Sequence, residues 1–267
     1  MSMIMKNVAV SRIDVANAQV KRKRDLIAME APLHVFLGGV HFVSILCSPA
    51  LLRELVVGHL FGESLVSSMD EIAGIDFDGE NRCFVTLRKT DVNKHVVLSK
   101  SFARLIVSAC NSVGYRSLSE LLDTIELKTL PFWQVKAKIV SDCVRRLNVL
   151  ADVFRKTGGV HVAALFKYDG KLVVSAEDVG RHNSVDKVVG TAVLSQQDLS
   201  GFFLALSGRL TGDIVLKAAR VGVPIVASLA GAIDSGVEVA EKTGVTLVGF
   251  VRGNRMNVYA HPERIIV

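Results

Sequence analysis

The chain has 267 residues, 50% of them hydrophobic, with 21 Gly and 5 Pro scattered without a period. A sizeable core is affordable, and disordered, collagen-like and low-complexity classes are excluded. Against 26 acidic residues stand 32 basic ones, leaving +6, which suits an anionic ligand. The low aromatic content and the lack of a basic helix argue against a nucleic-acid-binding module.

Asn7, Ser11, Arg12 and Asp14 interrupt any apolar run at the start, so no secretory signal is expected. The basic run Lys21, Arg22, Lys23, Arg24 reads as a solvated strand end. Residues 33–37 and 41–46 flank Gly38-Gly39, a hairpin signal. Ser48 is the expected cap of a helix with Pro49 in its first turn and an apolar stripe of Leu51, Leu52, Leu55 and Val56. These interruptions turn the uncharged stretch 35–52 into hairpin and helix rather than a membrane span. Further strands are expected at 72–77, 83–88 and 95–99.

The pattern changes near Pro131. One long helix is expected over 135–155, stopped by Gly158-Gly159. A hairpin follows, 160–166 and 172–176 around Asp169-Gly170. Then come helix 183–194, strand 202–206, helix 210–221, strand 224–228, helix 233–242 and strand 246–250. Apolar strands joined by single helices imply parallel pairing covered on both faces. The expectation is an α/β protein: a smaller β-rich α+β part, 1–130, then a cytidine-deaminase-like α/β domain, 131–267. A zinc deaminase needs H-x-E and P-C-x-x-C at two helix starts. Here those positions read His182-Asn183-Ser184 and Ser207-Gly208-Arg209-Leu210, and no cysteine lies beyond Cys143. Zinc chemistry is therefore excluded, and no metal ligands are expected.

Such sheets bind ligands at the carboxyl ends of their strands, where helix N-termini meet anions. Three clusters fall there: Arg181 and His182 in the 177–183 run, Ser207-Gly208-Arg209, and Arg252-Gly253-Asn254-Arg255. Each sets Arg beside Gly, which lets a backbone approach a phosphate while a guanidinium forks onto it. The plainer readings are an Asp178–Arg181 pair capping a helix, turn chemistry at Ser207 and Arg209, and a satisfied core histidine at His161. Among the thiols, Cys47, Cys83 and Cys143 sit in apolar patterns. No two of the four cysteines lie close enough in sequence for a C-x-x-C site. Cys110 lies in the small, polar segment Ser108-Ala109-Cys110-Asn111-Ser112-Val113-Gly114-Tyr115, a loop in which an exposed thiol can ionise and carry sulfur as a persulfide. From the residues alone a functional and an incidental thiol remain open.

Glu177-Asp-Val-Gly-Arg-His-Asn-Ser-Val-Asp-Lys187, Ser207-Gly-Arg, Val223-Pro-Ile-Val and Gly249-Phe-Val-Arg-Gly-Asn-Arg255 resemble the FdhD family of formate dehydrogenase accessory sulfurtransferases. Thr157-Gly-Gly-Val-His161 and Glu30-Ala-Pro-Leu33 match further family segments, so the likeness runs through nearly the whole chain. A reducing, cytoplasmic setting is the default for these separated cysteines, and the resemblance implies a sulfur carrier. It takes sulfur from a cysteine desulfurase and passes it to the molybdenum or tungsten bis-guanine-dinucleotide cofactor of formate dehydrogenase. Aligned on the family's C-G-x-C-G loop, Cys110 takes the first position as the persulfide carrier, and Asn111 and Val113 replace the Gly and the second Cys. The cofactor-binding segment carries over onto Phe250, Val251, Arg252, Gly253, Asn254 and Arg255. The rival reading is a cofactor-binding chaperone that has lost sulfur transfer: Val113 favours it, Cys110 opposes it. A homodimer is the default assembly.

Overall fold

The computed structural model describes residues 4–88 and 129–267. Strands β1 (Met5–Asp14) and β2 (Gln19–Ala28) pair antiparallel as a separate two-stranded ribbon that carries the 21–24 basic run, largely exposed as expected. The Gly38-Gly39 hairpin forms between β3 (Ala31–Leu37) and β4 (Val40–Cys47). Both glycines have positive φ, 55° and 82°, the backbone that a two-residue turn matched to strand twist demands. With β5 (Ile72–Asp78) and β6 (Arg82–Leu87) these strands form a sheet in the order β4-β3-β6-β5, with β3 parallel to β6. Leu33, Val35 and Leu37 alternate inward from β3, each about as buried as a side chain can be, and each contributes roughly 1.5–3 kcal/mol. The expected strand 95–99 lies outside the described residues.

Helix α1 (Leu52–Gly62) begins later than Ser48. Its N-cap is Leu51, in a left-handed conformation with no side-chain cap, because Ser48 is buried and bonded elsewhere. The expected helix 135–155 is two helices, α2 (Ala137–Leu150) and α3 (Asp152–Thr157), broken at Ala151. The break has a tertiary cause. The Glu177 carboxylate accepts both the Val153 and the Phe154 N–H at 2.9 Å, supplying a new helix start in mid-pattern.

The second sheet holds β8 (His161–Lys167), β9 (Leu172–Asp178), β10 (Phe202–Leu206), β11 (Ile225–Ser228), β12 (Thr246–Arg252) and β13 (Arg255–Ala260). Its order is β13-β12-β11-β10-β8-β9. Only β10, β11 and β12 run parallel. Strands β8 and β13 are antiparallel to their neighbours, so the sheet is mixed rather than wholly parallel. Helices α4 (Arg181–Leu194), α5 (Gly212–Val221) and α6 (Asp234–Thr243) follow β9, β10 and β11. A short parallel pair, β7 (Val135–Lys136) with β14 (Ile265–Ile266), closes the far side.

One apolar cluster runs without interruption from Leu33, Leu55 and Leu60 to Val188, Leu206 and Leu247; another, around Val140, Leu147, Phe166 and Phe203, covers the opposite sheet face. Helices α1 and α4 cross at backbone contact. A Cβ on Gly58 would stand 1.7 Å from the Asp186 carbonyl oxygen, and one on Gly190 1.9 Å from that of Glu54. Among the described residues no helix is long and apolar enough to cross a membrane.

Candidate functional site

The carboxyl ends of β9, β10, β11 and β12 share one edge of the sheet with the start of antiparallel β8. Along that edge stand, in order, Asp178 to His182, His161, Ser207 to Arg209, Leu229 to Gly231, and Phe250 to Arg255. The loops are tied to one another. Ser228 Oγ donates to the Gly208 carbonyl at 2.6 Å, Leu210 N–H to Gly231 at 3.0 Å, and Phe250 N–H to Ala230 at 2.9 Å.

The polar run that ends β9 divides into buried and outward residues. Asp178 does not pair with Arg181; it pairs with Lys187, further along α4, and neither side chain is exposed at all. Asp178 also accepts from the N–H groups of Ser48 (3.0 Å) and Gly180 (2.8 Å) and from the Asn183 amide (2.8 Å). Lys187 donates to the Ser48 carbonyl at 3.0 Å, and Asn183 to that of Leu46 at 2.7 Å. The pair thus survives burial because nearly every lone pair and proton is used. Next to it, Lys217 bridges Asp186 (2.9 Å) and Glu63 (2.9 Å), and His59 and Arg220 complete the group. Burial raises the Glu63 carboxyl, but Lys217, His59 and Arg220 outweigh it and hold the group at about 2. Burial lowers the Lys217 amine, yet Asp186 and Glu63 together leave it raised.

Arg181 and His182, by contrast, start α4 at the open edge. His182 Nε2 pairs with Asp213 in the first turn of α5. Burial pushes the Asp213 carboxyl up, and the bonds from His182 and Thr211 more than reverse that, to about 2. Gly208 leaves room for Arg181: a Cβ there would lie 3.0 Å from Arg181 Cβ. The Arg181 Nε is buried and has no hydrogen-bond partner among the described residues. His161 is half-buried with Nδ1 3.3 Å from Ser207 Oγ, which also accepts the Val162 N–H at 3.1 Å. Burial first, then Arg181, His182 and Arg209, push the His161 imidazole below its ordinary range. The His161 imidazole, its charged form disfavoured, therefore sits beside the guanidinium groups of Arg181 and Arg209, a field that attracts phosphate or a similar anion.

The Arg252-Gly253-Asn254-Arg255 cluster is the tip of the β12–β13 hairpin, not a loop after a final strand. Gly253 turns it with φ 58°, and Arg252, Asn254 and Arg255 are exposed while Val251 is buried. Arg252 Nε donates to the Leu229 carbonyl at 3.2 Å, and its guanidinium lies 5.6 Å from the Phe250 ring centroid. Phe250 has φ 50° and its ring covers Gly231, where a Cβ would come within 2.8 Å. Arg209 is exposed between these two groups.

The structure therefore sets Arg181, His182, Arg209, Arg252 and Arg255 along one edge. Cys110 lies outside the described residues. Cys47, Cys83 and Cys143 are buried, and burial pushes each thiol up to about 11. Sequence reasoning missed the Ser48, Lys187 and Lys217 networks; the only signal was the density of charge within otherwise apolar helices. Among the described residues no group of three His, Cys, Asp or Glu is placed to hold a metal.

Against known proteins, the FdhD/NarQ family model matches residues 28–266. A sulfur carrier protein FdhD of Thermoplasma acidophilum is 36% identical over 262 residues, covering 94% of this chain and 90% of that one. One from Methanothermobacter thermautotrophicus is 33% identical, covering 98% and 99%. A crystal structure described as a formate dehydrogenase accessory protein, from Desulfotalea psychrophila, superposes with a TM-score of 0.79 at 27% identity, covering 99% of this chain and 100% of that one.

Proposed function

The chain belongs to the FdhD/NarQ family, and from that premise we propose that it is a sulfur carrier serving formate dehydrogenase. It takes sulfur from a cysteine desulfurase as a persulfide on Cys110. It hands that sulfur to the molybdenum or tungsten bis-guanine-dinucleotide cofactor, bound as substrate along the arginine-lined edge. In the loading step the Cys110 thiolate attacks the terminal sulfur of the donor persulfide; the new S–S bond forms as the donor's cysteine thiolate leaves. Arg181, Arg209, Arg252 and Arg255 neutralise the phosphates, and Phe250 presents an apolar face beside them. In this reading the 131–267 part is the cofactor-binding scaffold, and the mixed sheet β13-β12-β11-β10-β8-β9 sets its arginines along one edge.

The observation that carries the assignment is the state of the other thiols. Three of the four cysteines are buried with raised pKa and are inert, so a sulfur relay on this chain runs through Cys110. Intact-protein and peptide mass after incubation with a desulfurase and cysteine tests it. One added sulfur on Cys110, and none after Cys110→Ala, is expected; loading confined to Cys47, Cys83 or Cys143 refutes it. Val113, standing where the family has a second cysteine, favours the chaperone reading instead. Formate dehydrogenase matured at the wild-type level by Cys110→Ser would establish that reading.

A further inference from the structure

The plainer reading of His161 is a satisfied core histidine, and its surroundings do not fit it. His161 opens β8, opposite Asp178 on β9. Because β8 runs antiparallel to both β9 and β10, its first residue falls at the same edge as their carboxyl ends. The five residues that follow, Val162 to Phe166, are buried, whereas His161 is only half-buried. One ring nitrogen is held: Nδ1 lies 3.3 Å from Ser207 Oγ, and Nε2 has no hydrogen-bond partner among the described residues. A core histidine satisfies both nitrogens.

Ser207 can serve the ring in either charge state. Its oxygen accepts the Val162 N–H at 3.1 Å, which leaves the hydroxyl proton and a second lone pair. Beside a neutral imidazole the hydroxyl donates to Nδ1, and Nε2 carries the ring proton. Beside an imidazolium Nδ1–H donates to the second lone pair, and the hydroxyl proton turns toward the open edge. Nε2–H is a donor in both states.

The charges around the ring are uneven. Arg181 and His182 approach from α4, and Arg209 from the loop after β10. The carboxylates of the packed elements are already engaged: Asp178 by Lys187, Glu177 by the Val153 and Phe154 N–H groups, Asp213 by His182. Burial, then Arg181, His182 and Arg209, disfavour the charged ring, and Asp178 offsets only part of this. A lysine here would carry a permanent charge that both arginines repel; a histidine adds charge only when an anion compensates them. An oxyanion laid against Arg181 and Arg209 reverses the balance.

We propose that His161 is a further nucleotide-binding residue of this edge: Nε2–H donates to a phosphate oxygen, and the imidazole takes up a proton from solvent as the phosphate arrives. This rests on the reading of the edge as a nucleotide site. Affinity is then greatest below the ligand-free value of the imidazole. It falls as pH rises from that value through the bound one, by about tenfold for each unit by which the ligand raises the ring.

The test uses the full chain and a guanosine diphosphate sugar, a pyrophosphate diester whose charge is constant around neutral pH. In the wild-type protein the His161 ring signal, followed by NMR, titrates at higher pH with the sugar nucleotide bound. Inorganic sulfate shifts it the same way relative to chloride at equal ionic strength. Calorimetry in buffers of low and high ionisation enthalpy shows net proton uptake on binding, and His161→Gln abolishes both the uptake and the pH dependence of affinity. Uptake that survives in His161→Gln belongs to another group, such as His182, and overturns the proposal. An unmoved His161 signal with the sugar nucleotide bound also overturns it and leaves the nucleotide site intact. If sulfate moves the ring but the sugar nucleotide does not bind, the nucleotide reading fails and the His161 anion contact stands.

Discussion

The two segments that carry most of the family likeness, 177–187 and 250–255, are both rich in charge, yet they use it in opposite ways. In the first, Asp178, Asn183, Asp186 and Lys187 turn inward and bond to one another, to Ser48 and to Lys217, while Glu177 caps the start of α3; only Arg181 and His182 face the open edge. In the second, Val251 alone is buried, and Arg252 and Arg255 reach solvent from a hairpin tip. The lesson is that a charged motif in an apolar sheet protein can be a joint or a ligand surface, and burial decides which. The joint holds its arginine at the edge; the hairpin presents its arginines directly.

The contrast breaks most sharply at Lys187. Lys187→Met leaves Asp178 buried without its cation, and urea denaturation should show a loss of about 3–5 kcal/mol, much of it restored by adding Asp178→Asn. A Gly58→Ala change forces α1 from α4 by a backbone clash and should cost about 3 kcal/mol by the same measurement. Acid weakens the joint next. Glu63 and Asp213 ionise at about 2 when folded, against 4.5 and 3.8 for the free side chains. The unfolded chain therefore binds more protons between those values. The stability each group contributes is complete above about pH 5 and drains away as pH falls through 2, by about 3 kcal/mol for Glu63 and about 2 kcal/mol for Asp213. Urea midpoints that stay flat from pH 6 to pH 3 would show that these carboxylates are not held down. The hairpin sits at the other extreme. Arg252→Ala with Arg255→Ala should change stability by no more than about 0.5 kcal/mol while weakening calorimetric GDP binding at least about tenfold. Wild-type GDP affinity in that double variant would move the ligand off the hairpin.

These differences explain what the sequence revealed. The Gly38-Gly39 and Asp169-Gly170 turns and the 202–206 strand follow from local chemistry, and each formed where it was expected. The arginines of the edge were legible because strand ends followed by Gly-Arg need no long-range information. What stayed hidden depends on partners far along the chain. Ser48 looks like a helix cap until Asp178 and Lys187 claim its backbone and the Val179 N–H its hydroxyl, all more than 100 residues away. The break at Ala151 needs the Glu177 carboxylate, and no helical period records that. Strand β13 escaped because its register against β12 is irregular, with shifts on either side of Gly249. A lysine with no exposed surface is likewise invisible in a pattern where lysine normally marks solvent.

The backbone crossing of α1 and α4 also bears on what a break in the covalent chain would do. The Gly58 and Gly190 contacts, the Ser48 bonds and a shared apolar cluster all join residues before 88 to residues after 129. Neither piece has a complete interior alone, since each would expose the leucines and the buried ion-pair members that the other covers. Cut between 88 and 129, the molecule should remain one noncovalent body, and the two fragments, expressed separately, should recover native structure only on mixing. The protein is in that sense a ready-made pair of complementing fragments, with its folding dependent on their concentration once the linkage is gone.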